Sequence, residues 1–332
     1  MNKYVLNVDA GTFNSAGVKA KTDITKILVN NGYEKIDYFV PKSKIMRLLT
    51  AKIMWHKKLA TVKNGIFVFQ YPMYSRFVTE ELIKIISKRK NVKSVAVIHD
   101  IEALRYLKDD AHSSQKELDI LSQFDILIVH NRAMKNWLND KGVTANLVDL
   151  EIFDYLNDFP MIELRNQENI IFAGNLEKSK FLTKLHINTP LILKGPNPDK
   201  DYPNNISYEG QHLPDELPKF LNGKFGLIWD GDSTDTCDGI FGEYLKFNNP
   251  HKTSLYLSMG IPVIIWNQAA LAPFVEENNV GIIISSLDDI DRAVNKMSDI
   301  DYRAMKSNAE RVGKQMRGGE YIIKALQKSF VM

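Results

Sequence analysis

Residues 225–232 read FGLIWDGD, and residues 262–268 read PVIIWNQ. In each stretch a short run of apolar side chains ends at polar residues. Apolarity that is continuous, without alternation, is typical of a strand covered on both faces, as crossover helices cover a parallel sheet. Both stretches therefore predict parallel β-strands that end in polar loops.

The same pattern recurs along the chain, with helical patterns between the runs. The runs cover residues 4–8, 65–69, 94–98 and 126–129 in the first half, and 169–172, 191–193, 225–229, 262–266 and 281–284 in the second. This alternation predicts the α/β class, with two doubly wound domains. A polar stretch near residues 159–169 predicts the boundary, which gives an N-terminal domain of residues 1–160 and a C-terminal domain of residues 161–332. The last helical pattern, residues 321–330, is apolar on one face and could pack on either domain.

Composition argues against several classes of protein. The 332 residues include 43 Lys and Arg against 40 Asp and Glu, a formal charge of +3 that is too small to predict nucleic-acid binding. The one cysteine, Cys237, excludes an intrachain disulfide, and no Cys and His cluster has the spacing of a zinc site. The sequence has neither a signal-peptide pattern nor about twenty consecutive uncharged apolar residues. These features predict a cytoplasmic protein that is neither exported nor membrane-spanning.

Ligands of open parallel sheets bind beyond the carboxyl ends of the strands, so the loops there are candidate sites. The first such loop, residues 9–17, reads DAGTFNSAG. Its candidate acceptor contacts are Gly11, Thr12, Ser15 and Gly17, since the glycines let backbone approach a ligand and Ser15 can cap the next helix. The loop matches neither G-x-G-x-x-G nor G-x-x-x-x-G-K-[ST], which argues against a nicotinamide, flavin or NTPase site. A bare strand-to-helix turn is the alternative.

The third run is followed by His99, Asp100 and Glu102. A carboxylate that is partly desolvated in a cleft has its pKa raised toward working pH and can take a proton from a hydroxyl. Asp100 is the predicted general base, and His99 and Glu102 are predicted to lie near the acceptor. The alternative is that Asp100 only caps a helix that begins near Glu102.

Three loops of the second half carry groups that suit a nucleotide diphosphate: a cation after the run 169–172, a cation that opens a helix, and backbone N–H groups after the run 262–266. The predicted donor contacts in these loops are Asn175, Lys178, Lys252, Asn267, Gln268 and Ala269. Uracil is expected near residues 208–212, which begin with Tyr208. Any single lysine is more often a solvated surface charge than a ligand contact.

Asp230 and Asp232 follow the run 225–229 in an Asp-x-Asp pattern. Many sugar transferases hold Mn²⁺ or Mg²⁺ with such a pair. Because lysines and a helix terminus can neutralise a leaving diphosphate instead, no metal and no other cofactor is predicted, and Asp230 is counted with the donor contacts. A metal-dependent transferase is the alternative.

Residues 42–58 form a basic amphipathic pattern. The segment has six basic and no acidic residues, interleaved with apolar ones. Such a helix could rest on an anionic membrane surface where a lipid-linked acceptor is presented. The alternative is a helix whose apolar face packs on its own domain.

Longer stretches resemble one known family. Residues 225–232 and 247–259 (FNNPHKTSLYLSM) closely resemble bacterial β-1,6-galactofuranosyltransferases of O-antigen and capsule assembly. Residues 99–105, 152–156 and 173–176 continue the resemblance, which spans nearly the whole chain. The chain is also similar, more distantly, to streptococcal glucosyltransferases that extend glycans on serine-rich adhesins and self-associate.

The resemblance implies a GT-B fold, with two Rossmann-like domains facing across a cleft. It implies metal-independent transfer from UDP-galactofuranose, with inversion, to a glycan acceptor. The basic segment 42–58 adds the expectation of a lipid-linked acceptor at the inner face of the cell membrane, and a homo-oligomer is among the expected assemblies. Lys178 and Lys252 would contact the diphosphate. Many GT-B enzymes hold the ribose with a glutamate where this chain has Leu255, which leaves the ribose contact unassigned, with Ser254 or Glu276 as the candidate substitute.

Other functions stay open. One is a glucosyl- or galactosyltransferase of the same fold, and another is a subunit that binds sugar nucleotides without turnover. A nucleotide-sugar epimerase would need NAD, and the missing dinucleotide fingerprint counts against it.

Overall fold

The computed structural model describes residues 2–9, 16–73, 75–163 and 168–331. It divides into two compact units. The first comprises the chain up to Glu151 together with the segment from Tyr321 onward, and the second comprises Ile152–Glu320. Within the described residues, no helix combines the length and the apolarity needed to cross a membrane.

The first unit is built on a six-stranded sheet in which all neighbouring strands run parallel. Its strands are β1 Lys3–Asp9, β2 Glu34–Phe39, β3 Gly65–Tyr71, β4 Val92–Ile98, β5 Ile126–Val129 and β6 Asn146–Asp149, in the order β2-β1-β3-β4-β5-β6. Its helices are α1 Ala16–Asn30, α2 Lys44–Lys58, α3 Arg76–Ile86, α4 Ala111–Leu121 and α5 Arg132–Asp140. The strand order reverses between β1 and β3.

The second unit repeats this plan with a second six-stranded parallel sheet. Its strands are β7 Ile170–Ala173, β8 Leu191–Lys194, β9 Ile206–Tyr208, β10 Phe225–Ile228, β11 Val263–Trp266 and β12 Gly281–Ile284, in the order β12-β11-β10-β7-β8-β9. Its helices are α6 Gly239–Tyr244, α7 His251–Ser258, α8 Ala272–Asn278, α9 Ile290–Lys296 and α10 Asp299–Gly318, and α11 Glu320–Val331 returns to the first unit. The strand order reverses between β7 and β10.

Burial explains why the sequence pattern reveals the central strands. Every residue of β5, β7, β10 and β11 is buried. These strands therefore carry apolar side chains on both faces, as predicted for doubly wound sheets. The predicted α/β class with two doubly wound domains is confirmed.

The strands without predicted bounds lie at sheet edges. β2 and β6 flank the first sheet, and β9 flanks the second. β2 has the burial pattern of a strand exposed at its ends, and two of the three residues of β9 are exposed. An edge strand of this kind lacks the continuous apolar run by which the other strands are recognised.

The units divide after Glu151, earlier than the predicted boundary at residue 160. The reason is that residues 152–157 are bonded into the second unit. The Ser254 hydroxyl donates to the Phe153 carbonyl at 2.8 Å, and the Tyr155 hydroxyl donates to the Pro214 carbonyl at 2.9 Å. The polar stretch after residue 159 thus lies within the second unit.

Candidate functional site

Lys252 occupies the point where the strand order of the second sheet reverses. Its ammonium donates to the Trp229 carbonyl at 2.9 Å and to Asp230 Oδ1 at 2.8 Å, both just beyond the end of β10. The same ammonium lies 4.5 Å from the ring centroid of Phe172 in β7. In open α/β sheets, ligands bind at such a reversal point. Lys252 therefore brings a largely buried positive charge to the expected ligand position.

Helix α7 carries Lys252 in its first turn and packs tightly on β10. A Cβ added at Gly226 would lie 2.2 Å from the Tyr256 ring, so only glycine admits this ring. The Tyr256 hydroxyl accepts a 2.6 Å hydrogen bond from the Ala173 backbone N–H of β7. Tyr256 thus fixes α7 across both strands, and its N-terminal end with Lys252 is held at the reversal point.

Lys178 lies beyond the end of the neighbouring strand β7, in a short 3-10 turn, Leu176–Lys178. Asn175 caps this turn by accepting a hydrogen bond from the Glu177 N–H at 3.2 Å. The Lys178 ammonium lies 3.9 Å from the ring centroid of Phe241. A ring face holds a cation without neutralising its charge, so Lys178 keeps a positive charge that can meet an anion.

The loops after β7 and β8 touch through two glycines. A Cβ at Gly195 would lie 1.8 Å from the Gly174 carbonyl oxygen, and Gly195 has a φ of +147°. The Tyr208 hydroxyl donates to the Gly195 carbonyl at 3.0 Å, and Asn197 donates to Asn175 Oδ1 at 3.1 Å. Tyr208 is exposed, so its ring is accessible beside these loops.

The Asp230–Asp232 loop is held by another carboxylate, Asp238. Asp238 Oδ1 accepts from the backbone N–H groups of Asp232 at 2.6 Å and Ser233 at 3.2 Å. Asp230 instead pairs with Lys252. In the described part of the chain, no group of three or more His, Cys, Asp or Glu side chains could hold a metal ion.

The structure corrects the interpretation of Ser254. Its side chain is buried in α7, and its hydroxyl donates to the Phe153 carbonyl. It joins residues 152–157 to the second unit and presents no oxygen to a ribose. Glu276, the other substitute, is exposed on α8.

The loop after β11 also differs from the predicted anion site. The backbone N–H of Asn267 donates to the Ile284 carbonyl at 2.8 Å, and that of Ala269 donates to the Trp266 carbonyl at 3.1 Å. These N–H groups close the turn and continue the pairing with β12, so they are not free for phosphate. The Asn267 amide group donates to Ser285 Oγ, and Gln268 is exposed.

In the first unit, an arginine gathers two of the predicted carboxylates. Arg105 Nη1 lies 2.6 Å from Asp100 Oδ1 and 3.9 Å from Glu102 Oε1. The 3-10 turn Glu102–Leu104 has Ile101 as its N-cap, so Asp100 does not cap it. Burial raises the pKa of Glu102, while the Arg105 charge acts in the opposite direction.

Glu117 of α4 accepts hydrogen bonds from the backbone of this turn and is itself buried. Its carboxylate accepts from the backbone N–H groups of Glu102 at 3.1 Å and Ala103 at 2.6 Å, and from the Tyr71 hydroxyl at 2.7 Å. Glu102 and Glu117 also line a cavity of about 210 Å³ together with Tyr71, Met73 and Arg76. This cavity lies at the carboxyl ends of β3 and β4.

His99 is buried and bound within the sheet. Its Nε2 lies 2.9 Å from Gln70 Oε1, and the Gln70 amide donates to Thr25 Oγ1 of α1 at 2.9 Å. His99 thus links β4 to β3 and through Gln70 to α1. Gly17 is an exposed residue of α1, whereas Gly11, Thr12 and Ser15 lie outside the described residues.

Comparison with known proteins identifies the family. Residues 2–152 match the glucosyltransferase 3-like N-terminal domain, and residues 170–329 match the glucosyltransferase 3-like C-terminal domain. This chain belongs to the glucosyltransferase 3-like family. Among its relatives is the β-1,6-galactofuranosyltransferase WbbI of Escherichia coli strain K12, 32% identical over 98% of this chain and 97% of its own length. Glucosyltransferase 3 of Streptococcus gordonii is 24% identical over 98% and 97% of the two chains.

Solved structures agree on the fold of this glucosyltransferase 3-like chain. Sucrose-phosphate synthase from Thermosynechococcus elongatus matches with a TM-score of 0.62 at 10% identity, covering 99% of this chain and 98% of that one. Trehalose-6-phosphate synthase OtsA matches with a TM-score of 0.60 at 10% identity over the same shares. The predicted GT-B fold and the resemblance to both sets of relatives are confirmed. The chain is a glycosyltransferase.

Four residues of the two candidate sites of this glucosyltransferase 3-like protein were not predicted as contacts: Arg105 and Glu117 in the first unit, and Asp238 and Phe241 in the second. Arg105 stands in the stretch that carries the family resemblance, which was a usable signal. Glu117 and Phe241 act from other helices, and Asp238 acts across a turn, so no local spacing marks them.

Proposed function

We propose that this glycosyltransferase transfers galactofuranose from UDP-galactofuranose, with inversion, to a hydroxyl of a glycan acceptor, forming a β-1,6 linkage to a glucoside. The observation that supports this choice of donor is the 32% identity, over 98% of the chain, to an enzyme named for that linkage and that sugar. The glycosyltransferase activity itself rests on the family match of both domains.

The donor diphosphate is proposed to bind at the carboxyl edge of the second sheet. Lys252 and Lys178 would neutralise the charge that accumulates on UDP as the bond between the anomeric carbon and the phosphate oxygen breaks. Asp230 positions the Lys252 ammonium through their 2.8 Å pair. The nucleoside of the donor would lie beside Asn175, Asn197 and the Tyr208 ring. Glu276 is the proposed ribose contact.

The acceptor is proposed to bind to the first unit near Asp100. As the acceptor oxygen bonds to the anomeric carbon, its proton passes to the Asp100 carboxylate, and UDP leaves with the electron pair. Arg105 orients Asp100 at 2.6 Å. The cavity beside Glu102 is a position for the acceptor sugar. Gly17 and the loop residues Gly11, Thr12 and Ser15 remain proposed acceptor contacts.

Two lysines supply the charge that a metal ion supplies in other transferases, so metal-independent catalysis is part of the proposal. The setting proposed is surface polysaccharide biosynthesis, O-antigen or capsule, with a lipid-linked acceptor at the inner face of the cell membrane. A homo-oligomer is the proposed assembly, and nucleic acid is not a proposed partner.

A second candidate function is glucosyl transfer from UDP-glucose. It is favoured by the 24% identity to glucosyltransferase 3 of Streptococcus gordonii over 98% of the chain. The two functions share the UDP contacts and differ in the sugar pocket.

The deciding experiment offers purified protein UDP-galactofuranose or UDP-glucose with an alkyl glucoside acceptor, in the presence of EDTA. We expect UDP release and a β-1,6-linked furanoside by NMR with the first donor only. Turnover with UDP-glucose alone would replace the proposed donor, and loss of turnover in EDTA would replace the metal-independent mechanism. UDP binding without turnover on any acceptor would indicate a non-catalytic subunit.

A further inference from the structure

Helix α2 presents an apolar stripe to solvent. Ile45, Leu49 and Ile53 are 67%, 68% and 71% exposed. Their i, i+4, i+8 spacing puts them on one face of the helix. The opposite face carries Ala51 and Trp55, both fully buried, and Trp55 stacks on Tyr38 with ring centroids 4.0 Å apart. Packing of α2 on its own unit therefore uses one face and leaves the other uncovered.

The stripe continues beyond these three residues. Leu48 and Met46 are also exposed on α2. Large apolar side chains so grouped on one surface mark an interaction site more often than chance exposure.

The charges that this segment itself carries have one sign. The segment of residues 42–58 contains the basic residues Lys42, Lys44, Arg47, Lys52, Lys57 and Lys58, and it contains no acidic residue. Four of these six side chains are exposed, while Arg47 and Lys58 are half-buried. The surface thus combines an apolar stripe with a positively charged border.

We propose that this face of α2 docks on an anionic lipid bilayer. The apolar side chains would enter the boundary between headgroups and acyl chains, while the lysines contact lipid phosphates. A bilayer of anionic lipids offers an apolar interior to the stripe and negative charge to the basic residues. A second copy that packed through the same face would bring two sets of six basic residues together, which like-charge repulsion disfavours.

Docking of α2 does not depend on which sugar is transferred. It would give the full chain a peripheral, reversible membrane contact. Since none of the docking residues is a proposed donor or acceptor contact, a soluble acceptor should be used equally well with or without vesicles. This separates a failure of docking from a failure of the proposed transfer reaction.

The test is flotation of the full chain with vesicles of phosphatidylcholine alone or mixed equally with phosphatidylglycerol. We expect binding to the anionic vesicles, weakened by added salt, and little binding to phosphatidylcholine. The triple variant Ile45→Gln, Leu49→Gln, Ile53→Gln should bind about ten-fold more weakly or worse. Ile300→Gln, at an exposed position of α10, is the matched control and should bind like wild type.

Circular dichroism and turnover of an alkyl glucoside should be unchanged in the triple variant, since the three positions are exposed. Equal binding of wild type and triple variant would overturn the proposal, as would no binding by either. Light scattering that shows an oligomer dissolved by the triple variant, without vesicle binding, would assign the face to a second copy instead.

Discussion

At the scale of single residues, Lys252 connects the fold most directly to the proposed chemistry. Its ammonium is fixed by Trp229 and Asp230 and lies over Phe172, so it is preorganised before a ligand arrives. We expect Lys252→Met, which keeps the side-chain length and removes the charge, to weaken UDP binding roughly 10- to 100-fold, the range for hydrogen bonds to charged groups.

Isothermal titration with UDP measures this effect. Lys314→Met, at an exposed lysine of α10, is the matched control and should bind UDP like wild type. Unchanged UDP affinity in Lys252→Met, with the fold intact, would remove Lys252 from the donor site.

The two carboxylates beside Arg105 can be separated by amide substitution. Asp100→Asn should lower kcat by about 10²–10⁴-fold, the usual effect of losing a general base, while UDP affinity stays the same. Glu102→Gln should lower kcat by less than about ten-fold, since Asp100 still accepts the proton. Steady-state kinetics on both variants decide the matter, and the reverse ranking would transfer the role of base to Glu102.

The environment of Glu102 leads to a prediction about how the stability of the fold depends on pH. Because burial raises its pKa in the folded state, the protonated form is favoured by folding, and its stabilising effect is lost as pH rises through that raised pKa. Glu102→Gln carries no titrating group. It should therefore lose less stability than wild type as the pH rises from about 4, the usual range of a Glu pKa, to neutral pH. Urea midpoints at the two pH values test this, and the same pH dependence in both proteins would contradict it.

At the scale of elements, the seating of α7 on β10 depends on a glycine. A Cβ at Gly226 would lie 2.2 Å from the Tyr256 ring, which is fully buried and bonded to Ala173, so neither partner can move freely. We expect Gly226→Ala to destabilise the protein by about 1–3 kcal/mol, as overpacking of a core does, and to weaken UDP binding by displacing Lys252.

Urea unfolding followed by UDP titration measures both effects. Gly17→Ala is the control, because a Cβ at Gly17 meets no atom within 4 Å. A Gly226→Ala variant as stable as wild type would show that α7 can shift without cost.

At the scale of the whole molecule, the chain crosses to the second unit and returns through α11. Ile322 and Leu326 of this helix are buried, and Lys324 and Lys328 pair with Glu151 at 2.9 Å and 3.0 Å. Removal of residues 321–332 should destabilise the first unit by about 3–6 kcal/mol from the two apolar side chains alone. The exposed ion pairs should contribute less than about 1 kcal/mol each.

Hydrogen exchange resolved by peptide distinguishes the units in this truncation. Faster exchange in β3 and β4, with β10 and β11 unchanged, is the expected result. Equal protection of the first unit with and without the segment would show that α11 contributes no stability there.

The sequence by itself determined the α/β class, the central strands of both sheets and the loops that carry the lysines and carboxylates. These features are local, because a strand buried on both faces must be apolar throughout, and the residues after it must leave the sheet at its carboxyl edge. Tertiary structure decided the rest. It bound Ser254 and the N–H groups of Asn267 and Ala269 internally, brought Arg105 to Asp100, and showed which face of α2 is uncovered. Such facts depend on partners far away in sequence or across a turn, and no periodicity or spacing encodes them.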